Sequence, residues 1–286
     1  MCDLCVTAVT QSKTHRVGIE PCTVGAVERR RIDTLLAERG LAGSRTSAAA
    51  SVRAGRVRIG RDGPKATRPG QLVPENAELH VVGERRYVSR GGLKLEHALD
   101  SLRIDVAGRS CLDVGASTGG FTDCLLRRGA GRVIALDVGY GQLDWGLRND
   151  PRVEAIERKN ARELTPGDLP YEPAFATVDV SFISLAKILP AVRSCLAPGG
   201  EMLALVKPQF ELGRGRVRGG VVGSAAERRE ALLGVAEAVL GSGLAVKGFA
   251  SSGLPGPKGN RETFIWCGTS GEGIDGVEAA VREVEP

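Results

Sequence analysis

The chain has 286 residues, of which 42% are hydrophobic and 26% are charged, a composition typical of a folded protein with a packed core. It contains no run of about 18 apolar residues, so the sequence predicts no transmembrane helix. Aromatic residues make up only 4%, which disfavours a surface built from base-stacking rings. Seven cysteines are too few for a disulfide scaffold, and without a secretory apolar region at the N-terminus they indicate a reduced, cytoplasmic protein.

The positive charge is concentrated towards the N-terminus. Residues 28–90 carry 14 Lys and Arg against 7 Asp and Glu, a net charge of +7, whereas residues 91–286 have a net charge of −2. A small basic module beside a larger, nearly neutral one is typical of a nucleic-acid-binding domain attached to an enzyme. A solvated basic face without a partner has the same composition, so charge alone leaves both interpretations open.

Residues 1–27 show no sustained periodicity, and we expect a disordered extension there. Cys2 and Cys5 form a CxxC pair, and with His15 and Cys22 they could supply four zinc ligands. Their spacing matches no common zinc pattern, so no metal site is predicted.

The segment 28–83 is predicted to form a small α+β domain. Apolar residues recur at helical spacing from Ile32, and Ser44 can cap a second helix. Short strands are expected at 57–59 and 79–82. Residues 84–92 are polar and end in glycines, which indicates a linker to the next domain.

Residues 93–270 alternate strand and helix signals. Strands are expected at 111–114, 133–137, 153–156, 175–180, 202–206, 245–251 and 263–267, with helices at 120–128, 142–149, 184–196 and 225–241. Apolar strands alternating with helices predict an α/β fold whose seven-stranded, mostly parallel sheet is covered on both faces. The Gly- and Glu-rich tail, 271–286, is expected to be a peripheral helix or frayed.

The sharpest local signal is Cys111-Leu-Asp-Val-Gly-Ala-Ser-Thr-Gly-Gly-Phe, where a strand ends in an acid and a glycine-rich turn precedes a helix. In doubly wound sheets such a turn holds a nucleotide-like ligand, and this pattern is not the G-x-G-x-x-G of dinucleotide sites. Asp137 ends the next strand, where its carboxylate can accept hydrogen bonds from ribose hydroxyls. The pair is similar to the S-adenosylmethionine site of class I methyltransferases.

The methyl acceptor is indicated by the motifs that are missing. Asp179-Val-Ser-Phe follows the fourth strand, where amino-group methyltransferases often carry Asn/Asp-Pro-Pro-Tyr/Phe, and no cysteine of this domain has the context of a cytosine-C5 nucleophile. A ribose hydroxyl remains, and its attack on a sulfonium methyl needs a base and a nearby cation. Lys94, Asp179, Lys207 and Glu262 supply such a set. Asp179 and Lys207 end adjacent strands at one sheet edge, so they are expected to face one crevice.

The order of these four residues resembles the FtsJ/RrmJ-type ribose 2′-O-methyltransferases. Longer strings resemble the TlyA family over about residues 29–268, among them Val88-Ser-Arg-Gly-Gly-Leu-Lys-Leu, Asp137-Val-Gly-Tyr-Gly-Gln-Leu and Val206-Lys-Pro-Gln-Phe-Glu. Leu36-Ala-Glu-Arg-Gly-Leu and Ala54-Gly-Arg-Val resemble the S4 RNA-binding domain. The resemblance implies a Rossmann-like class I methyltransferase domain after a small α+β RNA-binding domain. It also implies 2′-O-methylation of cytidine in ribosomal RNA, on the large subunit and in some members also the small one.

The resemblance further implies roles for individual residues. Catalysis is assigned to Lys94, Asp179, Lys207 and Glu262. The S-adenosylmethionine site is assigned to Asp113, Gly115, Ser117, Gly119, Gly120, Asp137 and Asn160. RNA contacts are assigned to Arg31, Arg39, Arg45, Arg56, Arg90, Arg148 and Arg214. The expected partners are ribosomal RNA or ribosomal subunits, with no metal, membrane or obligate protein partner.

The sequence disfavours two other classes of function. A membrane-active haemolysin, which is the family's old label, needs an amphipathic or spanning segment that the sequence lacks. A non-catalytic RNA-binding assembly factor would not need the intact Lys-Asp-Lys-Glu set.

Overall fold

The computed structural model describes residues 28–82, 86–213, 216–217, 219–256 and 258–286. The chain divides into two compact units, with the boundary after Val82. The segment 1–27, which contains the predicted disordered extension and the CxxC pair, lies outside the described residues, as does Arg214. Within the described ranges, no helix combines the length and apolar character needed to cross a membrane.

The N-terminal unit packs two helices against short antiparallel strand pairs. Its elements are β1 (Arg29–Arg31), α1 (Ile32–Glu38), α2 (Arg45–Arg53), β2 (Val57–Ile59), β3 (Leu72–Pro74) and β4 (Leu79–Val81). β1 pairs with β3 and β2 pairs with β4, and Ser44 caps α2 by accepting a hydrogen bond from the Ser47 N–H. The sequence did not predict β1 and β3, because Arg29-Arg-Arg has no apolar alternation and Leu72-Val-Pro ends in a proline.

The C-terminal unit is built on a seven-stranded sheet. Its strands are β5 (Ser110–Val114), β6 (Arg132–Leu136), β7 (Val153–Ile156), β8 (Phe175–Val178), β9 (Glu201–Val206), β10 (Ala245–Ser251) and β11 (Thr263–Gly268). They lie in the order β10-β11-β9-β8-β5-β6-β7. The pairs from β9 to β7 are parallel, whereas β11 is antiparallel to both of its neighbours. The predicted α/β fold with a mostly parallel sheet is confirmed.

Helices cover both faces of this sheet. They are α3 (Arg90–Leu102), α4 (Gly120–Arg127), α5 (Trp145–Arg148), α6 (Leu189–Cys195), α7 (Pro208–Glu211), α8 (Ala225–Gly241) and α9 (Val277–Val284). Alternate strand residues point to opposite faces. Phe175 and Leu203 therefore join the core under α3 and α4, while Ala176 and Met202 join the core under α6 and α8.

Helix α3 begins inside the segment 84–92 that we interpreted as a linker. Ser89 caps it by accepting a hydrogen bond from the Gly91 N–H at 3.3 Å. A Cβ at Gly92 would lie 2.3 Å from the Tyr87 ring, so this glycine permits close packing rather than flexibility. As a result Lys94 lies on α3.

The C-terminal tail ends in a buried ion pair, so the frayed alternative is wrong for residues 277–285. Glu285 is only 4% exposed. Its carboxylate accepts hydrogen bonds from Arg228 Nε at 2.7 Å and from Thr263 Oγ1 at 2.6 Å. Because Thr263 begins β11 directly after Glu262, the tail supports the strand end that carries a predicted catalytic residue.

Candidate active site

The glycine-rich turn between β5 and α4 is shaped by close contacts that only glycine tolerates. Gly115 and Gly119 have φ values of +84° and +93°, a region that residues with a Cβ rarely adopt. A Cβ at Gly115 would lie 2.5 Å from the carbonyl oxygen of Asp179, and one at Gly120 would lie 2.1 Å from Ser89 Oγ. The turn therefore brings the end of β5 against the end of β8.

Asp137 fastens this turn to the next loop. Its two carboxylate oxygens accept hydrogen bonds from the Ser117 N–H at 2.8 Å and the Gly139 N–H at 2.6 Å. A carboxylate offers about four lone-pair positions, so positions remain for ligand hydroxyls. Asn160 follows β7 at the same sheet edge, and its side chain caps a short turn by accepting from the Arg162 N–H at 3.1 Å. The Asp137 carboxylate beside the glycine turn can accept hydrogen bonds from the hydroxyls of a ribose. This arrangement suits a nucleoside-bearing cofactor such as S-adenosylmethionine.

Asp113, which the resemblance assigns to the cofactor site, is buried beneath the glycine turn at the end of β5. It has no exposed surface. Oδ2 accepts from both the N–H and the hydroxyl of Thr122, and Oδ1 accepts from Thr177 Oγ1 at 3.1 Å. Burial raises its pKa to about 7, against the opposing effect of these hydrogen bonds. In this structure Asp113 supports the turn from beneath.

This burial predicts a specific pH dependence of stability. Because the folded-state pKa of Asp113 is raised from 3.8 to about 7, its contribution to the free energy of unfolding is fully present below pH 3.8 and is lost as the pH rises through 7. Asp113→Asn keeps the shape of the protonated carboxyl but does not titrate. Between pH 4 and 7 the wild type should lose about 1.4 kcal/mol per pH unit relative to this variant. Urea unfolding at several pH values measures this difference, and parallel stability curves would contradict it.

The predicted catalytic residues that follow β8 and β9 form an ion pair. Lys207 Nζ lies 2.5 Å from Asp179 Oδ1 and donates a hydrogen bond to Ser181 Oγ at 3.0 Å. The two strands are parallel neighbours, so their carboxyl ends meet at one edge as expected. Ser181 is the serine of the Asp179-Val-Ser-Phe string, but no role was predicted for it, because its contact with Lys207 depends on how two strand ends meet.

The other two predicted catalytic residues form a second, more deeply buried pair. Lys94 on α3 donates to Glu262 Oε2 at 2.5 Å, and their side chains are 9% and 1% exposed. Thr263 of β11 pairs with Val206 of β9, so Glu262 and Lys207 extend adjacent strands at the same end of the sheet. The structure thus brings all four residues to the edge that holds the glycine turn.

The arginines predicted to contact RNA in the N-terminal unit have partners within the protein. Arg31 donates two hydrogen bonds to buried Asp33, and Arg45 Nε lies 3.4 Å from the same carboxylate. The hydrogen bonds from Arg31 hold the pKa of Asp33 down at about 2. Arg39 instead donates to the backbone carbonyls of residues 75 and 77, and Arg56 donates to Ser51 Oγ.

The predicted RNA-contacting arginines of the C-terminal unit are similarly engaged. Arg90 donates to the carbonyl oxygen of Pro255 at 2.9 Å, which fastens a loop near the start of β11. Arg148 forms an ion pair with Glu157 at 2.5 Å. The sequence could not reveal these partners, because each is brought close only by the fold.

Comparison with protein-family models matches residues 87–269 to the FtsJ-like methyltransferase and residues 30–79 to the S4 domain. A protein of Mycobacterium tuberculosis named 16S/23S rRNA (cytidine-2′-O)-methyltransferase TlyA is 49% identical over 265 residues, which cover 89% of this chain and 98% of that relative. The chain belongs to the TlyA family. The predicted family, the S4 and FtsJ-like architecture and the methyltransferase class are therefore confirmed.

Two further proteins that are similar to this chain carry haemolysin names. Hemolysin A of Brachyspira hyodysenteriae is 39% identical over 81% of this chain and 97% of that protein. A solved structure from Streptococcus thermophilus, also named as a hemolysin, matches with a TM-score of 0.69 and 40% identity, over 91% of this chain and 96% of that one. Both likenesses cover more of this chain than its C-terminal unit alone.

Proposed function

We propose that this TlyA-family chain methylates the ribose 2′-hydroxyl of a cytidine in ribosomal RNA, with S-adenosylmethionine as methyl donor. The observation that carries the proposal is the Lys207–Asp179 pair, at 2.5 Å, at the sheet edge that also holds the glycine turn. Relatives named as rRNA (cytidine-2′-O)-methyltransferases, at 49% and 34% identity, support the same acceptor. Ribosomal subunits and a cytoplasmic location are part of the proposal.

S-adenosylmethionine, when bound, supplies an electrophilic methyl group on a sulfonium sulfur. We assign the turn from Gly115 to Gly120, with Ser117 at its exposed tip, to the methionine part of this ligand. Asp137 would accept from the ribose hydroxyls, and Asn160 would lie near the adenine. Asp113, being buried, would position the turn without touching the ligand.

The basic side chains would act on the attacking hydroxyl. Lys207, as the neutral amine, would orient the 2′-hydroxyl and receive its proton as the oxygen attacks. Asp179 would then pair with the ammonium that results. Lys94, fixed by Glu262, adds positive charge where negative charge develops on the oxygen. Alignment of the two reactants supplies much of the rate, up to about 7–11 kcal/mol at its ideal limit. A paired ribose would not reach this edge, so we expect the target nucleotide to be flipped out.

The N-terminal unit would dock on ribosomal RNA through phosphates. Arg31 and Arg45 are held side by side by Asp33, yet their side chains remain 47% and 60% exposed. Arginine side chains whose guanidinium groups are already oriented lose less conformational freedom when they bind phosphate bidentately. The intramolecular bonds are therefore compatible with RNA contact and support it.

The test is transfer of tritiated methyl from S-adenosylmethionine to purified, unmethylated large and small ribosomal subunits. A 2′-O-methyl group blocks alkaline cleavage of the following phosphodiester, so label is expected in alkali-resistant dinucleotides and, after digestion, in 2′-O-methylcytidine. The distribution of label between subunits identifies the substrate.

Two results would contradict the proposal. Label in a base instead of a ribose would assign a different acceptor. Absence of label on both subunits, with cofactor binding shown by calorimetry, would favour the non-catalytic RNA-binding factor.

A further inference from the structure

The segments that carry Asp179 and Lys207 also contact each other at residues further along each segment. Lys207 contacts Asp179 and Ser181. Next along the two segments, the rings of Phe182 and Phe210 lie with their centroids 5.2 Å apart. The loop after β8 and helix α7 after β9 therefore run side by side.

Glu211, the last residue of α7, makes a third contact between these two segments. Its Oε2 accepts a hydrogen bond from Ser184 Oγ at 2.6 Å, and its Oε1 accepts from the Leu185 N–H at 3.0 Å. Both donors belong to the loop that carries Asp179. Burial raises the pKa of the Glu211 carboxyl, while the two hydrogen bonds favour its ionised form. A partly buried acid with both oxygens directed at one loop is arranged to hold that loop.

The backbone of the loop after β8 is strained at Phe182, so the loop needs stabilising contacts. Phe182 has a φ of +66°, a conformation that bulky residues rarely adopt, and its side chain is 90% exposed. Strained backbone persists only where surrounding contacts determine it. Phe182 is not packed into the core, so the constraint has to come from its neighbours. These are Phe210, which contacts its ring, and the residues two and three positions later, which Glu211 bonds.

We propose that Glu211 is a positioning residue, which sets the separation of Lys207 from Asp179 and Ser181 by clamping the loop after β8 to α7. This inference rests on the proposed function, because it concerns the same proton-handling group. Glu211 does not touch the reactants and acts through the loop alone.

The test compares Glu211→Ala, Glu211→Gln and Glu278→Ala in the full chain. Glu278 is an exposed acid of α9 paired with Arg282, and surface pairs of this kind contribute little, so it is the matched control. For Glu211→Ala we expect turnover to fall about 100-fold, as for a displacement near 1 Å in an active site. The cofactor dissociation constant and the half-saturating RNA concentration should stay within about threefold, because neither binding surface changes. Glu211→Gln keeps an oxygen for the Leu185 N–H and should recover turnover to within about tenfold.

Deuterium exchange supplies a second measurement that needs no RNA. The amides of residues 181–186 should exchange faster in Glu211→Ala, while exchange in β8 and β9 stays as in the wild type. Unchanged exchange in this loop would overturn the proposal, as would wild-type turnover in Glu211→Ala or a Glu211→Gln variant no better than the alanine. If the wild type itself methylates no RNA, the proposed function fails, and the exchange measurement alone decides whether Glu211 holds the loop.

Discussion

Lys207→Ala is expected to lower methyl transfer by about 10³-fold while leaving S-adenosylmethionine binding nearly unchanged. Lys207 Nζ is 2.5 Å from Asp179 and 3.0 Å from Ser181 Oγ, so the side chain is fixed at the sheet edge. Proton handling by a positioned side chain typically contributes about 10²–10⁴-fold to a rate. Single-turnover transfer to ribosomal subunits, with the cofactor dissociation constant measured by calorimetry, separates chemistry from binding. Lys187, an exposed lysine in the segment after β8, is the control as Lys187→Ala.

A second variant at this position separates two roles of Lys207. Arginine keeps the positive charge but cannot be deprotonated in a protein. If Lys207 only orients the hydroxyl and stabilises negative charge, Lys207→Arg should restore much of the rate. If Lys207 takes the proton, Lys207→Arg should stay as slow as the alanine. Near wild-type transfer by Lys207→Ala would remove Lys207 from the mechanism altogether.

Gly115→Ala is expected to weaken S-adenosylmethionine binding by at least about 100-fold and to destabilise the fold. The added Cβ would lie 2.5 Å from the carbonyl oxygen of Asp179, at a φ of +84°. The turn or the end of β8 must move, and a non-glycine residue in this conformation costs about 1–3 kcal/mol. Because β8 carries Asp179, turnover should fall even at saturating cofactor. Calorimetric titration and urea unfolding measure the two effects.

Gly234→Ala is the matched control for that prediction. Gly234 lies on an exposed face of α8, and a Cβ there meets nothing within 4 Å. Alanine in a helix interior is more favourable than glycine by about 0.5–1 kcal/mol, so this variant should be slightly more stable and bind cofactor normally. If Gly115→Ala binds cofactor as well as Gly234→Ala, the glycine turn is not the cofactor site.

Several features were predictable because their signals are local. The strands of the sheet follow short apolar runs, and the glycine turn follows directly after β5. The structure places these strands within a few residues of their predicted ends. Helix α3 was missed because its two N-terminal glycines look like a linker until Tyr87 and Phe121 are seen packed against them. The helical spacing of its buried residues Leu95 and Leu99 follows directly after those glycines.

The partners of charged side chains were not predictable in this way. From the sequence, Asp113 is an acid at a strand end and is expected at the cofactor site. In the structure it is buried and accepts hydrogen bonds from Thr122 and Thr177. Glu211 ends the string Val206-Lys-Pro-Gln-Phe-Glu, but its bonds to Ser184 and Leu185 depend on how two loops meet. Side-chain partners of this kind are set by three-dimensional proximity, which residue spacing does not encode.

By itself, the amino-acid sequence determined the order of the elements, the glycine turn and four residues suited to methyl transfer. The tertiary structure decided how those four residues pair. Lys94 meets Glu262 across a separation of 168 residues, and Lys207 meets Asp179, because β11 inserts beside β9 and β9 lies beside β8. Hydrophobic periodicity specifies that strands form, but the choice of neighbours in the sheet depends on the packing of the whole domain.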